Sequence, residues 1–264
     1  MKNIYLIALL IISTTSLMGQ TPEAPTGFKW VLNEKFSDEF NGEELNSEKW
    51  HDRSPYWVNG RPPATFRAYS VSVKDGNLQI KNSVLEGDKK YNIAGGAVAS
   101  VAKDGHYGYY EARMKASSIS MSSTFWMKNK PFPNNCPNEQ HELDIVEIVG
   151  QQKGKNDFRT TLHANTHIFH RDCNGDKEVK SAGGNSKINP PANEAYHVYG
   201  CWWIDANTIK IYLDGEYQFT MNPSTEYSET PFDWETPPTP EELADDSKNT
   251  TYYDWVRSYV LISE

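Results

Sequence analysis

The segment His141-Glu142-Leu143-Asp144-Ile145-Val146-Glu147-Ile148-Val149-Gly150 sets three carboxylates among branched apolar residues. A purely structural strand is a poor home for that set, because a buried charge costs several kcal/mol unless it is paired or put to use. Crowded carboxylates suit acid–base and nucleophilic work, since their mutual repulsion drives a proton onto one of them. In a regular strand residues two apart share a face, so Glu142 and Asp144 point one way and Glu147 the other. One extra residue in a β-bulge restores the parity and brings all three to one face.

With that bulge, Glu142 and Glu147 stand about four strand steps apart, roughly 13 Å between backbones. Two glutamate side chains leaning together close most of that gap. Their separation then approaches the roughly 5 to 5.5 Å of a retaining glycosidase, where one carboxylate attacks the sugar and the other protonates the leaving oxygen. Asp144, between them, can share a proton or hydrogen bond with the nucleophile. The bland alternative is a solvated strand edge carrying calcium-binding or idle acids.

The elements that must hold this segment are strands. Short β-prone runs recur between turn signals: Val71 to Val73, Leu78 to Ile80, Gly108 to Met114, Ser123 to Met127, Glu142 to Val149, Tyr196 to Ile204, Ile209 to Leu213 and Trp255 to Ile262. Asp75-Gly76 and Asp214-Gly215 are hairpin turns by composition. Ile209, Ile211 and Leu213 alternate with Lys210 and Tyr212, the pattern of a half-buried sheet. No long helical periodicity competes, so the chain is all-β, a sandwich or barrel within one domain. Thr236-Pro237-Pro238-Thr239-Pro240 resembles a linker, but a strand follows it, so Pro231 to Asp246 is expected as a long loop inside the domain.

The 264 residues, 38% hydrophobic and 12% aromatic, are globular in composition, which excludes disordered and collagen-like chains. The net charge of -9, with no extended basic cluster, removes the footprint of a nucleic-acid binder. That charge is uneven: Met221 to Ser247 holds eight acids and no Lys or Arg, and the rest of the chain is close to neutral. A sulfated partner can therefore still be met by a few local cations.

Lys2, an apolar run from Ile4 to Ile12 and a small, polar stretch to Gln20 read as a secretory signal peptide over residues 1–20, with 21–264 as the mature domain. The apolar run is about half the roughly 20 residues of a membrane anchor, and no later segment is apolar enough to span a bilayer, so no membrane association is expected. In an oxidising compartment the Asn-rich surroundings of Cys136 and Cys173 make them candidates for a disulfide, although three cysteines allow three single bridges. Cys201, in an apolar run, is expected as a buried free thiol.

Glu142-Leu143-Asp144-Ile145-Val146-Glu147 resembles the E-x-D-x-x-E signature of glycoside hydrolase family 16. Phe36 to Gly42 with Leu45 to Trp50 is similar to that family's opening strand, and Gly108 to Lys115 to its mid-chain strand. Phe125-Trp126-Met127, Tyr196 to Gly200, Tyr212 to Gly215 and Asp254 to Arg257 follow in family order. The resemblance implies a β-jelly-roll sandwich of two curved antiparallel sheets with a concave substrate cleft. It implies Glu142 as nucleophile, Glu147 as acid/base and Asp144 as the assisting carboxylate. Two residues between Asp144 and Glu147 match the bulged form found in laminarinases, agarases, porphyranases and carrageenases.

Sugars stack their apolar faces on aromatic rings and meet polar side chains at their hydroxyls. Trp126 and Trp57 are the expected stacking residues, each with core packing as its alternative. Tyr56 to Pro63 resembles a loop of members that attack red-algal galactans, and Arg61 within it could pair bidentately with a sulfate. His163 resembles a cleft histidine of agarase-like members, with His167 and His170 close enough in sequence to exchange that role. The resemblance also implies a structural Ca²⁺ held by main-chain oxygens near the opening strand and the turn after β-prone Val71 to Val73, plus an Asp of the closing strand, positions that correspond to Glu39, Gly76 and Asp254, where hard oxygen ligands suit it. No cofactor is expected for catalysis. The implied function is a secreted, monomeric, endo-acting retaining hydrolase of β-1,4 bonds in porphyran or agarose. A laminarin-type β-1,3-glucanase, a κ-carrageenan or furcellaran hydrolase and a noncatalytic carbohydrate-binding jelly roll are the alternatives.

Overall fold

Alternation and turn chemistry become seventeen strands among the described residues of the computed structural model, which are 21–87, 89–129, 136–151, 158–223 and 237–264. In chain order they are β1 (Phe28–Leu32), β2 (Trp50–His51), β3 (Ala64–Phe66), β4 (Val71–Lys74), β5 (Asn77–Lys81), β6 (Ser83–Val84), β7 (Ile93–Gly95), β8 (Ala99–Ser100), β9 (Gly108–Lys115), β10 (Ser122–Lys128), β11 (Asn138–Val149), β12 (Thr161–Arg171), β13 (Lys177–Lys187), β14 (His197–Asp205), β15 (Thr208–Leu213), β16 (Glu216–Met221) and β17 (Thr250–Ser263). The expected signal peptide, residues 1–20, and the acids from Glu226 to Glu235 lie outside the described residues.

Two antiparallel sheets make the jelly-roll sandwich. The larger runs β16-β15-β14-β9-β17-β5-β4, with β1 also on β17, and the smaller runs β10-β11-β12-β13. Two minor ladders, β2-β8 and β3-β7-β6, flank them, and the β3–β7 pair is parallel. Both expected hairpin turns form: Asp75 and Gly76 between β4 and β5, and Asp214 and Gly215 between β15 and β16, all take positive φ. That left-handed pair is the geometry whose twist matches the flanking strands.

The core between the sheets follows from alternation. Leu143, Ile145, Val146, Ile148, Leu162 and Ala164 of the smaller sheet meet Tyr110, Ala112, Met114, Tyr199, Ile211 and Tyr253 of the larger one. Each fully buried aliphatic side chain contributes about 1.5–3 kcal/mol of transfer free energy. Cys201 is buried and free, as expected. The Pro-rich stretch departs from a plain loop by holding one short helix, α1 (Pro240–Ala244), whose Thr239 and Glu242 form a reciprocal capping box.

Of the three cysteine pairings, the disulfide joins Cys136 to Cys173, with 5.1 Å between Cα atoms. It closes the open end of the β11–β12 ladder, where Asn138 pairs with Arg171. Closing a loop across a sequence separation of 37 restricts the unfolded chain by about 3–4 kcal/mol in the chain-entropy model. Replacing Cys136 and Cys173 by serine should lower the melting temperature measured by calorimetry without changing the far-ultraviolet spectrum. An unchanged melting temperature would show that the bridge does not constrain the unfolded chain.

Candidate active site

The bulge that parity requires is present in β11. Phe125 of β10 pairs with Val146 and Trp126 pairs with Asp144, so Ile145 is the extra residue. Ile145 and Val146 both turn into the core and are fully buried, which carries two successive apolar residues to one side. Glu142, Asp144 and Glu147 consequently share the face turned away from the core.

The neighbouring strands complete that face. On β10, Phe125 and Met127 pack against the core, which leaves Trp126 beside Asp144 and Lys128 opposite Glu142. Lys128 Nζ lies 2.8 Å from Glu142 Oε2 and 5.1 Å from the centre of the Phe169 ring. On β12, Leu162 and Ala164 face inward, and His163, Asn165 and His167 therefore face outward. His167 pairs with Glu142, Asn165 with Asp144 and His163 with Glu147.

Each carboxylate is held differently. Asn165 Nδ2 donates to Glu147 Oε2 at 3.0 Å. His167 Nε2 lies 3.4 Å from Asp144 Oδ2. Oxygens of Glu142 and Asp144 and a nitrogen of His167 all lie within 4.8 Å of one another. Burial, reinforced by the charge of Asp144, pushes the Glu147 carboxyl up to about 7. Burial also raises Asp144, against the opposing pull of His167. Glu147 is thus a carboxyl that can keep a proton near neutrality, as a general acid needs.

The other expected site residues fall into separate groups. His163 stands on the carboxylate face but stacks on Phe158 with ring centres 3.8 Å apart, and burial lowers its pKa to about 4, so it is a neutral ring. The histidine that reaches the acids is His167, four residues on. Trp57, on the loop before β3, meets Phe66 edge-on at 5.5 Å and has the Arg61 guanidinium 6.0 Å from its ring centre. Trp57 is 41% exposed, so it is a loop residue with a free face and not core.

Around Glu39, Gly76 and Asp254, where a structural cation is expected, the two acids meet arginines. Arg257 holds Glu39 with two hydrogen bonds, at 2.7 and 2.9 Å, and Arg113 holds Asp254 at 2.6 Å. Gly76 serves the β4–β5 turn with φ +71. These contacts engage the side chains of Glu39 and Asp254 and do not involve the main-chain oxygens of Glu39 and Gly76 to which the resemblance assigns the ion.

Residues that motif reading alone does not single out are Lys128, Asn165 and, on β13, Gly183 and Ser181. Gly183 faces Asn165, and a Cβ there would run into the Asn165 carboxamide and drive it from Glu147. The readable signal for β12 is the alternation of Leu162, Ala164 and Thr166 with His163, Asn165 and His167.

Comparison with known proteins gives the family and the fold. The family model described as β-porphyranase A–D, GH16 domain, matches residues 30–261. The chain is 75% identical over 252 residues to β-porphyranase E of Zobellia galactanivorans, covering 90% of each. It is 46% identical over 282 residues to β-porphyranase B of Phocaeicola plebeius, covering 91% of this chain and 88% of that one. The crystal structure of the β-porphyranase from the human gut bacterium Bacteroides plebeius superposes with a TM-score of 0.84 at 44% identity, over 92% of this chain and 95% of that one.

Proposed function

The chain belongs to the β-porphyranase A–D family of glycoside hydrolase family 16 domains, and from that membership we propose that it cleaves β-1,4 bonds inside porphyran with retention of configuration. The single observation that carries the substrate class is the 75% identity to β-porphyranase E over nine-tenths of both chains. The three carboxylates on one face supply chemistry that a binding module would not need.

In the proposed mechanism Glu147 gives its proton to the glycosidic oxygen as the bond from the anomeric carbon to that oxygen breaks. Glu142 adds its carboxylate oxygen to the same carbon from the opposite side and forms a glycosyl ester. The Glu147 carboxylate then takes a proton from water, whose oxygen displaces Glu142, and two inversions leave the configuration retained. The charge of Asp144 raises the proton affinity of Glu147. Trp126 stands beside Asp144 where a sugar face would stack, and Lys128 orients Glu142. Trp57 and Arg61 form an aromatic and cationic pair suited to a sulfated sugar. Residues 1–20 are proposed to direct export and residues 21–264 to form the catalytic domain. Among the described residues no helix is long and apolar enough to cross a membrane.

Incubation with porphyran, agarose, κ-carrageenan and laminarin, followed by reducing-end assay, tests the reading. New ends should appear from porphyran, first as the β anomer by proton NMR. Release from laminarin alone would overturn the substrate class, and no release from any of the four would favour a binding module. The pH dependence has a defined sign. Glu147 must carry a proton to act, its carboxyl is raised to about 7, and kcat/KM should therefore fall as pH rises through about 7. A profile still flat at pH 9 would remove Glu147 from the acid role.

A further inference from the structure

β13 belongs to none of the motifs above, and its one acid, Glu178, pairs with His170, yet its register sets Ser181 directly across from His167. Ser181 is 9% exposed, and its Oγ lies 2.7 Å from His167 Nδ1. The opposite nitrogen of the same ring, Nε2, is the one 3.4 Å from Asp144 Oδ2. We propose that Ser181 is a positioning residue of this active centre: its hydroxyl fixes the His167 ring with Nε2 toward Asp144 and so keeps a proton-bearing cation beside the reacting carboxylates. The proposal rests on the reading of Glu142, Asp144 and Glu147 as the catalytic set.

The chemistry of imidazole explains why a hydroxyl is needed there. An imidazolium has two N–H donors and is stable when partly buried only if both find acceptors. Asp144 accepts from Nε2, and Ser181 Oγ accepts from Nδ1. On the same face of β13 the neighbours are Val179, which has no polar group, and Gly183, which has no side chain. A neutral ring is also compatible with Ser181, because the hydroxyl can turn and donate instead, so the serine supports the ring in both protonation states.

The charges that face His167 are Glu142, Asp144 and Glu147 from β11, Lys128 from β10, Arg171 from its own strand and Lys177 from β13. Lys128 is engaged with Glu142. Burial lowers the affinity of His167 for its proton, but the hydrogen bond to Asp144 and the charges of the three acids outweigh it, and the net shift is upward. In return, His167 lowers both Asp144 and Glu147 against the upward push of burial. Loss of the Ser181 acceptor leaves Nδ1–H without a partner and favours the neutral ring. Asp144 and Glu147 then hold protons to higher pH.

The test compares wild type with Ser181→Ala, Ser181→Cys and Ser181→Thr, reading the His167 titration by NMR and the pH profile of kcat/KM on porphyran. In Ser181→Ala the His167 midpoint should fall by about half a pH unit or more. The alkaline limb of the profile should move to higher pH, and kcat should drop several-fold. Ser181→Thr, which keeps the hydroxyl, should restore both titrations. Ser181→Cys, close in size but a weak acceptor, should shift them in the same direction as alanine and covers the case in which the alanine variant does not fold. If alanine and cysteine variants lose activity while His167 and the alkaline limb titrate as in wild type, Ser181 only packs and the proposal is overturned. If wild type cleaves no galactan but the His167 midpoint still falls, the positioning role stands and the substrate reading fails.

Discussion

Glu142→Gln should reduce kcat on porphyran by at least about 10⁴-fold, because the carboxamide keeps the volume of the side chain and removes the electron pair that forms the glycosyl ester. Binding should survive. The carboxamide oxygen can still accept from Lys128, whose ion pair with Glu142 is partly solvated and is worth at most about 1 kcal/mol. Calorimetric titration with a porphyran oligosaccharide should give a dissociation constant within a few-fold of wild type, and the melting temperature should stay within about 4 °C. A residual rate above about one-hundredth of wild type would sink the nucleophile assignment, since truncating a covalent nucleophile costs far more than that. A simultaneous loss of binding and melting temperature would instead make Glu142 a structural residue.

What makes Glu142 a strong expectation is a conflict visible in the residues themselves. Acids interleaved with Leu143, Ile145, Val146 and Ile148 satisfy neither a buried strand nor a solvated one. Parity then requires a bulge for all three carboxylates to share a face, and the structure puts it at Ile145, between Asp144 and Val146. The hairpins at Asp75-Gly76 and Asp214-Gly215 are legible for the same reason: two adjacent left-handed residues admit few residue types.

Partners across the ladder are a different kind of information. That His167 and not His163 meets Asp144 depends on the register of β12 against β11, which is shifted by the bulge. No local property of Thr161-Leu162-His163-Ala164-Asn165-Thr166-His167 encodes that register. β13 is harder still. Lys177-Glu178-Val179-Lys180-Ser181-Ala182-Gly183-Gly184 has little β-propensity and exists as a strand because β12 offers it a ladder over its whole length. Gly183 and Gly184 weaken it as an isolated strand, yet each stands where a Cβ would collide, with Asn165 on one face and Phe219 on the other. Their signal is tertiary. The α1 helix had a readable start in Thr239-Pro240-Glu241-Glu242, but the prolines around it make a loop the simpler reading. The disulfide was open among three pairings until the β11–β12 ladder brought Cys136 to Cys173.

Glu147→Gln should lower kcat/KM on porphyran by about 10²–10⁴-fold, the usual worth of a positioned general acid. The loss should depend on the leaving group. A sugar oxygen leaves poorly without a proton, whereas a nitrophenolate leaves as the anion, so formation of the glycosyl ester from a nitrophenyl oligosaccharide should be nearly intact. Breakdown of that ester should be slow in the variant, because water then lacks its base, and a burst of nitrophenolate equal to the enzyme concentration should precede a slow steady state. Glu147→Ala opens room for azide, which needs no base and should attack the ester from the side Glu147 vacated, giving a glycosyl azide of retained configuration. Glu142→Ala opens the opposite side, and azide there should give the inverted product in a single displacement. The two variants therefore report, by the stereochemistry of one product, which carboxylate stands on which side of the anomeric carbon. Retained product from Glu142→Ala and inverted product from Glu147→Ala would exchange the two roles. Loss of the proton pull from Glu147 should also remove the decline of kcat/KM above pH 7, since that limb is assigned to its raised carboxyl. A decline that persists unchanged in Glu147→Gln would place the titrating group elsewhere, with His167 the first alternative because it faces the same carboxylates.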